Sequence, residues 1–529
     1  MPTVTIESAS ATRRVPACAS GLLAGFAALA VAELAAAAVR PEAGPVTAVG
    51  GSVVDATPAE VKDWAIRQFG THDKLVLQLG IVVVLSAFAV ALGLLALRHR
   101  RAAVTGVLLV GATGAVAALG RPDSVSWTDG LPSAVGAVAG AALLRLLTVR
   151  LTVSRGGVPN SPTGGADRDR RGFLMTASAA AAASAGAGVL GRGLGSARGG
   201  DALASRAAVR LPAAGSPAAS VPAGAALRIP GLKPFTTPNE DFYRVDTALV
   251  VPRVDATTWR LRIHGRGVRR PLGVSFQDLL RRELIERDIT LTCVSNEVGG
   301  PYVGNARWTG VRLAELLREA GVEPPSRGGP ADQLVSRSVD GMTLGTPVEE
   351  VMDGRDAILA VGMNGRPLPF DHGFPVRMVV PGLYGYVSAC KWIEDIELTT
   401  FADHDPYWVK REWAPRAPVK TQSRIDTPRP FARPRAGTVM VAGVAWAQHR
   451  GIDRVEIRVD DGPWKPADLA TEHTTDTWRQ WSFPWKATPG SHTLSVRATD
   501  RSGRTQPERR TRTVPDGADG RHSVLVTVV

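Results

Sequence analysis

Cysteine is scarce: the 529 residues hold only Cys18, Cys293 and Cys390, and no C-x-x-C pair occurs. Three thiols cannot build a disulfide framework, and without paired cysteines there is no zinc ribbon, so any cysteine that matters acts alone. Tryptophan is nearly missing from the first half, where Trp64 and Trp127 are the only two of 12 before residue 250. That half also has no histidine pair inside its apolar runs, because His72 and His99 stand at run ends. Bis-histidine haem ligation between helices is excluded there. Acids are outnumbered, 49 Asp+Glu against 62 Lys+Arg, which leaves a net charge of +13 and a pI near 10.2. Such basicity suits nucleic acid or anionic lipid, and the charge total alone does not choose between them. At ~150 residues per domain, the length calls for three or four units.

Five stretches, about 17–39, 74–97, 102–120, 131–149 and 173–195, are long and apolar enough for the ~20 residues a bilayer core needs, which favours a membrane over nucleic acid as the partner. Positive charge sorts between them. Arg13 and Arg14 precede the first stretch, Arg98, Arg100 and Arg101 join the second to the third, and Arg145 to Arg171 separate the fourth from the fifth. The intervening loops carry Glu42, Asp55, Glu60, Asp63, Asp73, Asp123 and Asp129 against Arg40, Lys62, Arg67 and Arg121. The arginine-bearing loops are therefore expected in the cytoplasm and everything after about 196 outside it, as in a multi-pass protein of the cell membrane. In the plainer alternative, one or two of these Ala-rich stretches are buried soluble helices and the charge alternation is accidental. Arg170-Arg171-Gly172-Phe173-Leu174 precedes the fifth stretch. A twin arginine followed by Phe-Leu resembles a Tat signal, which exports folded cargo, and it reads equally as positive-inside charge.

Residues 196–228 are Ala/Gly/Ser/Pro-rich without periodicity, which predicts a flexible linker after a membrane region at 1–195. From 229 to 413 short β-rich runs (259–263, 289–294, 357–361, 376–380) alternate with helical patterns at Ser275–Leu284 and Arg312–Ala320, which predicts a mixed α+β domain. A Pro-rich connector at 415–434 follows. The remainder of 414–529 shows short strands at 439–443, 454–459, 478–485 and 492–497, with turn signals between them. This spacing predicts an immunoglobulin-like β-sandwich.

Strand alternation in Asp288-Ile289-Thr290-Leu291-Thr292-Cys293 sets Cys293 where a strand opens into the loop Asn296-Glu297-Val298-Gly299-Gly300. A lone cysteine is commonly an inert buried side chain. The surrounding segments point elsewhere. The stretch resembles the molybdenum-binding domain of the sulfite oxidase family, in which a strand-end thiolate ligates molybdenum held by a pterin dithiolene. Phe242-Tyr243-Arg244 resembles the family's Phe-x-Arg cofactor and substrate element, and Ala306-Arg307-Trp308-Thr309-Gly310 its Ala-Arg-Trp-x-Gly stretch. The longest match runs from Met363-Asn364-Gly365 through Asp371-His372-Gly373 to Arg377 and on to Lys391-Trp392. The resemblance covers about 230–515, and its bacterial membrane-anchored members are the form it suggests.

The resemblance implies Cys293 as the metal ligand and, with Arg244, a catalytic residue. It implies cofactor binding by Arg244, Cys293, Asp340, His372, Arg377, Ser388 and Lys391. The residue types suit it: a soft thiolate matches a soft redox metal, and His372 and Arg377 can donate to phosphate and pterin oxygens. A turn histidine and an ordinary salt bridge are the bland readings of those two. Further implications are oxygen-atom transfer on a small sulfur or nitrogen compound, a homodimer through the C-terminal domain, and a separate electron carrier, cytochrome or membrane quinone, since no haem domain is visible.

Two departures bear on substrate. Where animal sulfite oxidases carry an Arg pair after the ligand Cys and a Tyr ahead of Met-Asn-Gly, this chain has Glu297-Val298 and Val361. A dianion would meet a carboxylate there, a difference of several kcal/mol at ~4 Å in a low-dielectric pocket. Tyr243, Tyr384 or Tyr386 could replace the missing hydroxyl. A reductase resembling bacterial methionine-sulfoxide reductases is therefore the alternative enzyme, and a non-catalytic surface protein the alternative of another class.

Overall fold

The computed structural model describes residues 5–58, 61, 64–65, 68–69, 73–121, 124, 126–152 and 165–529. Glu60, Lys62, Asp63, Arg67, His72, Asp123 and the 153–164 part of the arginine-bearing loop, all read above from sequence, lie outside them. The chain divides into two compact units, Met1–Asp201 with Thr247–Val251, and Ala202–Asp246 with Pro252–Val529.

The first unit is helical: α1 Thr5–Val39, α2 Pro45–Ala56, α3 Asp73–Leu95, α4 Arg100–Leu119, α5 Leu131–Thr152 and most of α6 Gly165–Ala208. Five stretches in it, Arg14–Val39, Lys74–Leu95, Arg100–Leu119, Trp127–Leu151 and Gly172–Gly191, are long and apolar enough to cross a membrane. Small residues set the packing, since they let apolar helices approach backbone to backbone. Gly140 of α5 lies against α1 so closely that a Cβ there would stand 2.8 Å from Ala28 Cβ and 2.9 Å from Ala24 O. Gly21 of α1 and Gly93 of α3 meet backbone to backbone in the same way. Arg40 Nη2 pairs with Asp129 Oδ2 at 3.0 Å, tying the end of α1 to the turn that precedes α5.

The second unit opens with an α+β part: β1 Arg260–Gly265, β2 Leu272–Ser275, β3 Ile285–Thr292, β4 Val303–Arg312, β5 Gln333–Ser338, β6 Thr343–Pro347, β7 Ile358–Met363, β8 Arg366–Pro367, β9 Arg377–Val379 and β10 Ile393–Thr399. They form two five-stranded sheets, one ordered β2-β1-β10-β5-β6, the other β3-β4-β7-β8 with β9 also on β7. Short helices at Phe276–Leu280 and Leu313–Glu319 connect them. The first starts at a Ser275/Asp278 capping box and stops four residues before the expected Leu284, because β3 begins at Ile285.

Then follow β11 Gln422–Thr427, β12 Gly437–Trp446, β13 Ile452–Val459, β14 Lys465–Pro466, β15 Asp468–Leu469, β16 Arg479–Ala487, β17 Gly490–Asp500 and β18 His522–Val528. Two four-stranded antiparallel sheets, β11-β12-β16-β15 and β14-β13-β17-β18, share a core of Val441, Val455, Trp481, Leu494 and Val524. The stretch expected as a connector thus contains β11. Trp446 and Trp478 instead join the core of the α+β part, so the two parts are packed as one body.

Residues 196–228 differ from the expected tether. Helix α6 runs to Ala208, and the rest lies along the α+β part: Val209 and Ala225 are buried, and Glu286 N donates to Ser216 O at 2.9 Å. Leu227 N donates to Gln480 Oε1 at 2.6 Å. Composition signals flexibility, but small side chains also let a segment lie flat on an open strand edge.

Candidate functional site

β3 delivers Cys293 as its first residue past the ladder. Cys293 N donates to Tyr302 O at 3.0 Å, Asn296 N to Cys293 O at 3.1 Å, and Tyr302 N to Asn296 Oδ1 at 2.8 Å, so the loop closes on itself and holds the thiol in place, 8 % exposed. Gln448, from beyond β12, donates through Nε2 to Thr290 O and Thr292 Oγ1, each at 2.9 Å, and braces the strand from the other side. Cys390 is the contrasting thiol: burial pushes it up to about 12, and it bonds the neighbouring Lys391 carbonyl at 3.7 Å.

The Asn364-Gly365 turn joins β7 to β8 with both φ values positive, 52° and 72°, as a two-residue hairpin demands. The Asn364 side chain accepts from Arg307 N at 2.9 Å and donates to Thr237 O and Asn239 Oδ1 at 2.9 and 2.8 Å. That fixes Asn239, whose carbonyl accepts from His372 Nε2 at 2.9 Å. Burial and the nearby Arg377 lower His372 to about 4, so the ring is neutral near pH 7. With Nε2 donating to Asn239, Nδ1 is left as an acceptor, which corrects the expectation that His372 donates to cofactor oxygens.

Gly373 has φ 106°, and a Cβ there would lie 3.1 Å from both Arg377 Cβ and Lys391 Cα, so only glycine lets these two segments meet. Arg377 is 5 % exposed, with its guanidinium 4.9 Å over the Trp308 ring. It donates to His372 O at 3.2 Å and Ala389 O at 3.5 Å, its Nε has no partner, and no carboxylate pairs with it among the described residues. Burial lowers it to about 10, still cationic at pH 7. Trp308 is held by its indole bond to Ile289 O at 3.1 Å, while Arg307 turns away in a two-pronged pair with Asp288 at 2.8 and 3.1 Å. The Ala-Arg-Trp stretch thus supplies the platform under Arg377.

Tyr243 stacks on Phe242 at 5.2 Å and meets Tyr302 edge-on at 6.4 Å. Burial and the charge at Cys293 raise its phenol pKa, with Arg377 opposing, so it remains protonated between those two groups. Tyr386 donates to Ala414 O at 2.6 Å. Tyr384 accepts from Lys420 N at 3.4 Å.

Arg244 Nε donates to Asp246 Oδ2 at 2.9 Å, its Nη1 faces Asp371 Oδ1 at 3.2 Å, and Lys391 Nζ donates to Asp246 Oδ2 at 2.7 Å. Asp340 lies beside this group: burial, with Asp246 adding to it, raises its pKa, and Ser338 Oγ bonds it. Ser388 departs from its expected role, because its fully buried hydroxyl donates into its own turn, to Leu383 O at 3.1 Å and Tyr384 O at 3.0 Å. Cys293, Tyr243, Arg377, His372, Lys391 and Arg244 therefore form one continuous neighbourhood. Asp246, Asn239 and Gln448 are the members that no sequence signal singled out.

Residues 248–408 match the family model described as an oxidoreductase molybdopterin binding domain. Sulfite oxidase of Gallus gallus is 30% identical over 321 residues, covering 52% of this chain and 68% of that protein. The chain belongs to the sulfite oxidase family. Mitochondrial sulfite oxidase of Mus musculus is 29% identical over 317 residues, 52% of this chain and 58% of that one, so the chain spans little more than half the length of this mammalian relative. The sulfane dehydrogenase SoxCD from Paracoccus pantotrophus matches in structure with a TM-score of 0.49 at 24% identity, over 56% of this chain and 84% of that one. The chain thus carries an oxidoreductase molybdopterin binding domain of this family over residues 248–408. Its own residues fit a molybdopterin group. A buried guanidinium without a carboxylate is costly unless an anion completes it, and Arg377 has an unpartnered Nε for one, with Tyr243 lying near both Arg377 and the strand-end thiol of Cys293.

Proposed function

We propose that this chain is a membrane-anchored, extracytoplasmic oxidoreductase that transfers an oxygen atom to or from a small sulfur or nitrogen compound. The observation that carries this reading is the buried, carboxylate-free Arg377 in the same neighbourhood as Cys293. Cys293 would ligate molybdenum, and Arg377, His372, Asp340 and Lys391 would hold the pterin that carries it. The cofactor, when bound, supplies the two-electron oxygen-transfer chemistry. The protein's part is to hold the thiol at the strand end, keep Arg377 desolvated over Trp308, and present the protonated Tyr243 hydroxyl to the reacting oxygen.

Five apolar helices and arginine-rich alternate loops support a multi-pass topology with the second unit outside. The two four-stranded sheets support an immunoglobulin-like C-terminal domain suited to dimerisation, and electrons pass to or from a separate cytochrome or quinone. A second enzymatic reading, sulfoxide reduction, is favoured by the carboxylates on Arg244 and by Glu297-Val298 in the loop after Cys293.

Molybdenum quantification on the purified full chain and its Cys293→Ser and Cys390→Ser variants tests the assignment. Cys293→Ser should lose turnover while staying folded, because a hydroxyl is a hard, poorly ionised ligand. Cys390→Ser should keep metal and turnover. Equal loss in both variants, or full activity in the first, defeats the reading.

A further inference from the structure

Arg244 is the cation that the sequence offers to a substrate, yet it is engaged by Asp246 at 2.9 Å and by Asp371 at 3.2 Å. Lys391 meets the same Asp246 oxygen at 2.7 Å. The Asp246 side chain is 5 % exposed, so this is not a surface pair that water loosens. Beside this group His372 is neutral, and burial favours the protonated form of Asp340. Arg244 and Lys391 are thus held by carboxylates, and Arg377 is a cation with no carboxylate partner among the described residues.

We propose that Asp246 sets the substrate class of the site: by occupying Arg244 and Lys391 it denies an incoming oxyanion a cationic seat and leaves the site to an uncharged oxo compound of the sulfoxide type. This rests on the oxidoreductase reading above. A sulfite dianion at Arg244 would have to displace a buried carboxylate from two cations at once, and like charges brought together there repel strongly. A sulfoxide oxygen, carrying a dipole and no net charge, can accept from the guanidinium edge while Asp246 stays in place.

The test uses the full chain in detergent, cofactor-loaded, with artificial electron carriers, and two variants. Asp246→Asn removes the shared charge, and Asp371→Asn removes a half-exposed one. Dimethyl sulfoxide reduction and sulfite oxidation are measured for each, together with melting temperature against sulfate concentration, a readout that needs no turnover. Wild type should reduce the sulfoxide and gain no stability from sulfate. Asp246→Asn should raise the ratio of sulfite to sulfoxide kcat/KM by roughly tenfold or more. It should also gain a sulfate-dependent rise in melting temperature that salt weakens, with Asp371→Asn moving the same way by less. A wild-type preference for sulfite, or variants in which neither the ratio nor the sulfate response moves, overturns the proposal. Absence of turnover on either substrate with the sulfate response still gained would remove the enzymatic reading and keep the charge assignment.

Discussion

Arg377 is buried with no carboxylate partner among the described residues, so it destabilises the cofactor-free protein and becomes favourable only when an anion completes it. Arg377→Met should therefore lower molybdenum occupancy several-fold while leaving the melting temperature of the cofactor-free chain equal or higher. A fall in that melting temperature would mean that the guanidinium is a structural brace. Two buried histidines make a second residue-scale prediction. His372 and His522 are each lowered from 6.5 to about 4, mainly by burial, so between those values the unfolded chain binds protons that the folded chain does not. Stability should be flat above pH ~6.5 and fall as pH drops toward ~4, by at most about 1.4 kcal/mol per pH unit for each histidine. Asp500, lowered to about 2, adds no slope in that window, because its contribution is lost only below the ordinary carboxylate range. Melting of the cofactor-free chain across pH 4 to 7 measures the slope, which Asp340 and Glu394, raised by burial, oppose and which His522→Gln should reduce.

At the scale of elements, glycine placement separates packing from propensity. A Cβ at Gly140 would meet Ala28 and the Ala24 carbonyl of α1, whereas one at Gly80 of α3 meets nothing within 4 Å. Gly140→Leu should cost the helical unit roughly 1–3 kcal/mol through overpacking. Gly80→Leu should cost nothing, and heat-induced loss of the detergent-solubilised chain compares them. Equal behaviour of the two would show that α1 and α5 do not depend on close approach. In the second unit the corresponding element is the Asn364-Gly365 hairpin, which braces the Thr237–Asn239 segment and through it orients His372. The Met-Asn-Gly motif is legible in sequence as a turn, but its partner segment lies more than a hundred residues upstream and no local pattern names it.

For the whole molecule, the candidate cofactor site draws on residues from 239 to 448, so a cofactor would bind a nearly complete fold and stabilise it by mass action. If loading precedes export, the second unit crosses folded and Arg170-Arg171 acts as a signal. Replacing both with Lys keeps the positive charge and should leave the first four apolar helices inserted, while the second unit becomes inaccessible to protease added to intact cells and extracytoplasmic activity is lost. Unchanged accessibility and activity would reduce the twin arginine to topogenic charge. Cleavage in the accessible form is expected outside 209–228, because that stretch is bonded along β3 and to Gln480.

The sequence by itself determined the division into an apolar helical half and a β-rich half, the five apolar stretches, and the family through motifs whose spacing is local: Cys293 at a strand end, the Ala-Arg-Trp stretch and the Met363-to-Arg377 run. Each needs only neighbours along the chain to be recognised. What the tertiary structure decided is how charge is spent. That Lys391 joins Arg244 on Asp246, that Arg244 also meets Asp371, and that His372 donates to a backbone carbonyl depend on segments brought together across 127 to 145 residues. Composition also misjudged 209–228, because an Ala/Gly/Pro-rich chain looks the same whether it hangs free or lies against an open strand edge. Electrostatic pairing and edge docking are properties of distance in space, and distance along the chain does not encode them.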